Sequence, residues 1–551
     1  MNILFIMPLH LPFSEAVYKD SDGKVKIRKG RIIRGAPVGC LDIGAYIRKN
    51  MPDAGIEILD MNVALSEHTA GGVPAGFSLE TFLDLCFKPL MAFAPDMVGI
   101  SSLFNGNYQD LGLLSAYLKK TFPAAIVVAG GNIPSAMYRS VFAAGCPLDA
   151  ICFGEGEIPM LGLCEAVKEK RTGAYLAEDD SLITAAKASA PGFVPERKTL
   201  KDLDDIPAED LDMLVYKEQY LEPRDYIYCG SDKKGLREML MFPTRGCPFE
   251  CVFCSAHNVH GREVRVHSSE RVKKDMILYN KKYGVNSFVF FDDYFLYDKK
   301  SAVDILNFVG DKGWRAEIPT PSFYSVDEEV AAAMERAGVR GVTINIENGS
   351  RRVFKDIIHK PSTLERACEA AAYLHRHNIA TMATVLVGFP GEKQEDIKEE
   401  IRFLKTTDFG FFKIWILTPL PGSELWDICV NKGYIDPGVL SSNFEVPLIK
   451  TPDFTPDDTL YNSYTLDWQL NYLNNRYYRN GEWARALLFF MEAERSFFYG
   501  TFFISYILAD CAKKLGKKAL YAKYKKDFEN TLGSVKEPVL KKWVKKELRP
   551  L

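Results

Sequence analysis

Short apolar runs recur along this chain between helical stretches, and each ends in glycine, serine, asparagine or an acidic residue, which restricts it to parallel β/α architecture. In the first part, 2–7, 56–60, 97–101, 125–129 and 150–153 read as strands, with amphipathic helices over 37–49 and 111–122. Such strands form a sheet wound on both faces, and ligands sit beyond its carboxyl edge. Here that edge carries Ser, Asn and Gly, which let a large planar ligand approach bare backbone. A doubly wound domain without that ligand is the competing reading. A second series starts near 238, with strands over 238–243, 287–291, 315–319, 342–346, 381–387 and 411–417 and helices over 272–283, 328–337 and 364–377. About six βα units are short of the eight of a closed barrel, so the expected shape is a partial (β/α)6 barrel with its chemistry on the carboxyl face.

Between the first two strands of that series lies Thr244-Arg245-Gly246-Cys247-Pro248-Phe249-Glu250-Cys251-Val252-Phe253-Cys254. Its spacing is C-x3-C-x2-C, with an aromatic residue before the third cysteine. Three thiolates are one fewer than a structural zinc or an ordinary iron–sulfur site uses. The next cysteine, Cys368, is more than a hundred residues on. A cubane cluster held by three cysteines leaves one iron open to an outside ligand. A zinc knuckle or three buried thiols are the bland alternatives.

With Phe253, this run resembles the signature of the radical SAM superfamily. The resemblance implies that Cys247, Cys251 and Cys254 hold a 4Fe-4S cluster whose open iron binds S-adenosylmethionine (SAM). The strand ends match the same family by position. Asp292 and Asp293 stand where the family binds the methionine ammonium. Glu347 stands where it accepts from the ribose hydroxyls. Gly388 to Glu392 resembles the turn that packs near the adenine, and Leu417 and Thr418 to Gly422 resemble the turn that closes the barrel beside it. Glu392 itself is expected to be a cap or a solvated loop charge. His257, His260 and His267, with Arg262 and Arg265, are expected to form the loop after the cysteines and not to ligate the cluster.

The first 160 residues, with Pro37-Val38-Gly39, Val98 to Ser102, Gly130 to Ser135 and Phe153 to Glu157, resemble the cobalamin-binding domain that precedes many radical SAM cores. The contacts implied are Leu9, His10, Ser101, Ser102, Leu103, Asn105, Gly130, Gly131, Asn132, Ser135, Gly154, Glu155 and Gly156. The D-x-H-x-x-G motif that supplies an axial histidine is missing, so neither His10 nor His68 is expected to ligate cobalt. Leu203 to Pro207 resembles the segment that joins the two domains of this class. The implied organisation is a cobalamin-binding domain over 1–165, a connector over 166–235, the barrel over 236–430 and a mostly helical region over 431–551 capping the active site.

What the resemblance implies for function is a cobalamin-dependent methyltransferase that transfers a methyl group to unactivated carbon or phosphorus after hydrogen abstraction by a 5'-deoxyadenosyl radical. Ring closure or rearrangement by the same domains is one alternative, and a non-catalytic cobalamin or iron–sulfur sensor or carrier is another. The implied partners are a small-molecule, peptide or lipid substrate and an electron donor such as flavodoxin or ferredoxin. A net charge of −3 gives no support for a nucleic-acid surface. Twelve cysteines, scattered apart from the run 247–254, suit a reducing cytoplasm better than a disulfide framework. The start, MNILFIMPLH, reads as a buried strand and not a signal peptide. The apolar run 496–509, at 14 residues, is short of the roughly 20 that span a bilayer, and reads as a buried helix with peripheral membrane contact as the minority reading.

Overall fold

The computed structural model describes the chain except residues 20–24, 29–34, 75, 225–232, 439–443, 445, 497–501 and 536. β2 (Val17–Lys19) and β3 (Val25–Ile27) pair antiparallel.

The first sheet runs β4 (Gly55–Asp60), β1 (Asn2–Met7), β5 (Met97–Ser101), β6 (Ile126–Gly130), β7 (Ala150–Cys152) and β8 (Leu182–Ile183). All pairs are parallel except β7 with β8. Five of the six residues of β1 are buried, as a strand covered on both faces requires. Chain order reverses between β1 and β5, and a doubly wound sheet opens its ligand crevice at such a reversal. The sheet extends past 165 to β8, an edge strand too short to show in the sequence pattern.

The stretch read as a connector packs in part against the first sheet. Leu211, Met213, Tyr220 and Leu221 are buried in the same core as β1 and the helix Val38–Asn50. Leu214 bridges Ile58 at the edge of the first sheet, and the Tyr220 hydroxyl donates to Asp60 at 2.8 Å.

The second half begins with β9 (Glu238–Met241). A small ladder of β10 (Thr244–Arg245) and β11 (Arg265–Val266) follows, and then β12 (Ser287–Phe290), β13 (Arg315–Glu317), β14 (Gly341–Glu347), β15 (Ala380–Val387) and β16 (Phe411–Ile416). Six parallel strands form two half-sheets, β9–β12–β13 and β14–β15–β16. The Thr343 amide donates to the Pro319 carbonyl at 2.8 Å across the seam. This is the partial barrel expected, with the helices Ser269–Tyr283, Glu328–Arg336 and Leu364–Arg376 in the predicted places. Each starts at a side-chain cap, from Ser268, Asp327 and Thr363.

The helical C-terminal region packs around Trp468, Tyr472 and Trp543. Asn471 bonds both the amide and the carbonyl of Phe412, covering the open edge of β16. The sequence placed this region over the barrel mouth; among the described residues it meets the mouth at Thr459, against Gly388, and none of it lines the central cavity. The apolar run near 500 contributes the helix Phe502–Lys514, with 497–501 outside the described residues. No described helix is long and apolar enough to cross a membrane.

Candidate functional site

β9 is fully buried and delivers the chain to β10, where pairing with β11 closes the base of the cysteine loop. Gly246 turns into the loop at φ +92, and a Cβ there would lie 2.3 Å from the Glu263 carbonyl oxygen, so only glycine fits. The loop is pinned at its centre. The Val252 amide donates to Ile358 at 3.1 Å, its carbonyl accepts from Leu425 at 2.8 Å, and its side chain packs with Val353, Ile358, Phe389 and Leu417. The Cys254 amide donates to the Cys251 carbonyl at 3.0 Å, and all three cysteines are half-buried free thiols. Burial pushes all three up, Cys254 to about 11, so a metal held by these thiolates would displace protons on binding. No group of three or more His, Cys, Asp or Glu among the described residues converges on a single ion. A cubane takes each thiolate at a different iron corner and so needs no such convergence.

The acidic strand ends are placed as the β/α pattern implies. Asp292 is buried, and neither carboxylate oxygen has a properly formed hydrogen bond; it faces Thr244, whose hydroxyl is also unpartnered. Burial and then the charge of Asp293 push Asp292 well above the usual carboxylate range. Asp293 is open to the central cavity, which it lines. Glu347 sits at φ +66 on a bulge of β14, with one oxygen 2.9 Å from the ammonium of Lys360, a residue the sequence reading passed over. Leu417 donates to the Val387 carbonyl at 3.0 Å, and the buried Thr418 hydroxyl beside it has no partner.

Glu392 departs from expectation. It is neither a cap nor solvated: it is 6% exposed and accepts from the Gly388 amide and the Asn348 side chain, both at 2.8 Å. It ties the turn after β15 to the end of β14. Burial, with the charge of Asp396 adding, raises it from 4.5 to about 7. The folded state therefore holds this proton more tightly than the unfolded chain. Stability from this group is complete below about 4.5 and is lost as pH rises towards 7. Relative to the native protein, Glu392→Gln is expected to gain stability across that window in pH-dependent denaturation. Glu392→Ala, which strands two buried donors, is expected to cost about 2–4 kcal/mol at any pH.

A cavity of about 570 Å³ opens between the carboxyl edge of the first sheet and the cysteine loop. On one side it is lined by Ser101, Leu103, Gly130, Gly131, Asn132, Gly154, Glu155 and Gly156, all candidates from the sequence. On the other it is lined by Phe253, Cys254 and Asp293. The remaining candidates stand outside its wall. Cys247, Cys251, Asp292, Glu347, Gly388 and Leu417 do not line it. Leu9 is in the core below the sheet. His10 is buried edge-on against Phe104 at 4.5 Å, and burial lowers it to about 4. Ser102 and Ser135 hold turns: the Ser102 amide donates to Gly130 at 2.8 Å, and Ser135 accepts from the Gly154 amide at 3.2 Å. Asn105 is buried, its carbonyl accepting from Tyr108 at 3.2 Å.

Sequence reasoning missed the charges that join the two sides. Arg245, 6% exposed, reaches Asp42 at 2.7 Å, Glu157 at 2.8 Å and Glu155 at 3.4 Å. Arg265 and His260 also engage Glu155, so this candidate contact is already committed to ion pairs. Burial opposes its charge, but His260, Arg265 and Arg245 outweigh that and hold it at about 2. Asn132 donates to Ser255 at 3.2 Å and accepts from Asn258 at 3.0 Å, a second tie to the cysteine loop. The signal for Arg245 was its place two residues before the first cysteine. Its partners, over 80 to 200 residues away in sequence, carried none. His267 is 3.2 Å from Asp204.

Residues 43–163 match the B12 binding domain, and residues 241–404 match the radical SAM superfamily. The chain belongs to the cobalamin-dependent radical SAM enzymes. An uncharacterized methyltransferase of Pyrococcus horikoshii is 29% identical to this enzyme over 394 residues, covering 68% of this chain and 78% of that one. The anaerobic magnesium-protoporphyrin IX monomethyl ester cyclase of Rubrivivax gelatinosus is 25% identical, covering 75% and 72%. In fold, this enzyme is similar to the radical S-adenosylmethionine methyltransferase TsrM of Kitasatospora setae, solved with cobalamin and a 4Fe-4S cluster bound. That likeness has a TM-score of 0.57 at 16% identity, over 95% of this chain and 99% of the other.

The cofactors of such an enzyme are a 4Fe-4S cluster, SAM and cobalamin. The residues present fit them. The unpartnered carboxylate of Asp292 and the orphaned hydroxyls of Thr244 and Thr418 stand at the carboxyl face of the barrel. The cavity wall at Gly131 is bare backbone, where a Cβ would meet the Ser102 carbonyl oxygen at 2.7 Å.

Proposed function

We propose that this enzyme transfers a methyl group to an unactivated carbon or phosphorus of its substrate. The observation that carries the reading is the single cavity walled by both the cobalamin-type sheet edge and the cysteine loop. When bound, the cluster with SAM supplies a 5'-deoxyadenosyl radical and cobalamin supplies the methyl group. The chain's part is to hold and shield. Cys247, Cys251 and Cys254 hold the cluster, and Phe253 and Asp293 shape the wall beside it. Asp292 and Asp293 meet the methionine ammonium, a charge-assisted contact that would relieve the unpartnered carboxylate. Glu347, Gly388 and Leu417 flank the nucleoside. Gly130, Gly131, Gly154 and Gly156 let the corrin lie on backbone. Substrate placed in the remaining space is fixed between the two reacting groups and kept from water.

The substrate is a small molecule, peptide or lipid. An external donor such as flavodoxin or ferredoxin supplies electrons, and a reducing cytoplasm is the matching compartment. A second reading, ring closure or rearrangement without methyl transfer, is supported by the relative named as a cyclase.

Anaerobic reconstitution with cluster, cobalamin and SAM tests both. Formation of 5'-deoxyadenosine and S-adenosylhomocysteine, with a product gaining one CH2, is expected for methyl transfer. Deoxyadenosine alone, with a product that loses hydrogen or keeps its mass, would replace it with the second reading. Gly131→Ala, strained at φ +97 and driven into the Ser102 carbonyl, is expected to weaken corrinoid retention on gel filtration about tenfold or more, leaving the cluster absorbance unchanged.

A further inference from the structure

Beneath the cysteine loop lies a buried charge pair that packing alone does not call for. The Val252 amide, between Cys251 and Phe253, donates to Ile358 at 3.1 Å. One residue further, His359 turns the chain at φ +59, and Lys360 follows. Its ammonium is 5.9 Å from the centroid of the Phe253 ring and 2.9 Å from Glu347 Oε1. The two side chains are 7% and 6% exposed. Cys251 lies within Coulombic reach of both, with Lys360 the stronger influence. Burying such a pair costs several kcal/mol of desolvation, and apolar residues of the same volume would pack as well. The charge itself is therefore the useful part.

We propose that Lys360 is a positioning residue that sets the reduction potential of the cluster held by Cys247, Cys251 and Cys254, with Glu347 as its counterweight. This rests on the cluster assignment above. Three thiolates leave a 4Fe-4S centre with net negative charge, and a further electron adds to it. A fixed cation enclosed in protein lowers the cost of that electron far more than one in water, because solvent does not screen it. Cluster potentials follow local charge in this way. Glu347 offsets part of the effect and keeps the ammonium protonated and in place.

The test is a redox titration followed by electron paramagnetic resonance on the full chain with its cluster reconstituted, in the absence of SAM and cobalamin. Lys360→Met is expected to lower the reduced-to-oxidised ratio at a fixed potential tenfold or more, a 59 mV shift for a one-electron couple. Glu347→Gln is expected to move it the opposite way, and Lys360→Arg to stay close to the native value. Unmoved potentials in both Lys360→Met and Glu347→Gln would overturn the inference, as would shifts of the same sign. If Lys360→Met takes up no cluster, a Glu347→Gln potential no higher than the native one overturns it by itself. A native chain that forms no such cluster would overturn the cluster assignment and this inference together. A normal native cluster with unmoved variants overturns this inference alone.

Discussion

Cys251→Ala protein is expected to form no 5'-deoxyadenosine above background while binding cobalamin with an unchanged corrinoid spectrum. Cys251 is one of three thiolates, and with two left the cluster lacks a corner ligand, so the chemistry that depends on it has no starting point. The fold around the loop should survive. The loop is anchored by the backbone of Val252 and by its packing with Ile358, Phe389 and Leu425, none of which involves the Cys251 thiol. The first sheet has its own core below β1, β5 and β6 and needs nothing from Cys251. The measurement is an anaerobic SAM-cleavage assay beside an absorbance spectrum of the corrinoid-loaded variant. Loss of corrinoid with full cleavage would overturn the assignment of the two domains.

Arg245→Leu is expected to be the most destabilising single change outside the apolar core. Arg245 faces three carboxylates at 2.7 to 3.4 Å, and Glu155 and Glu157 are almost fully buried. Removing the guanidinium leaves buried negative charge at Asp42 and Glu157, while Arg265 and His260 still meet Glu155, a loss of about 3–5 kcal/mol. For a unit of two domains that is a fall of about 3–6 °C in the unfolding midpoint. Limited proteolysis should cut near the connector more readily, because Arg245 ties the helix carrying Asp42 and the start of the helix Glu157–Lys168 to the cysteine loop. Arg245→Lys should recover only part of the loss, since one ammonium does not match the planar fork that meets several carboxylates at once. Wild-type stability in Arg245→Leu would show that the ion network is incidental and that apolar packing alone joins the domains.

Much of the architecture was legible because βα units write themselves in local sequence. A buried parallel strand is a short apolar run, the following turn needs Gly, Ser or Asn, and the helix shows its period; hence β1, β5, β12, β14 and β15 were placed within a residue or two. What escaped was shorter or less periodic: β8 at two residues, the helices Met61–His68 and Leu79–Phe87, and the packed turns of the connector. The three cysteines were equally legible, since their chemistry lies in spacing eight residues long.

The site beyond them divides along the same line. By itself the sequence determined which residue types stand at the strand ends and that three thiolates share one loop, because both are set by neighbours along the chain. Only the tertiary structure decided that Glu392 is buried glue, that Glu347 is paired with Lys360, that Glu155 is spent on Arg245, Arg265 and His260, and that both domains wall one cavity. Those contacts join residues far apart in the chain, and the strength of a charge depends on how much water its neighbours remove, which no local pattern records.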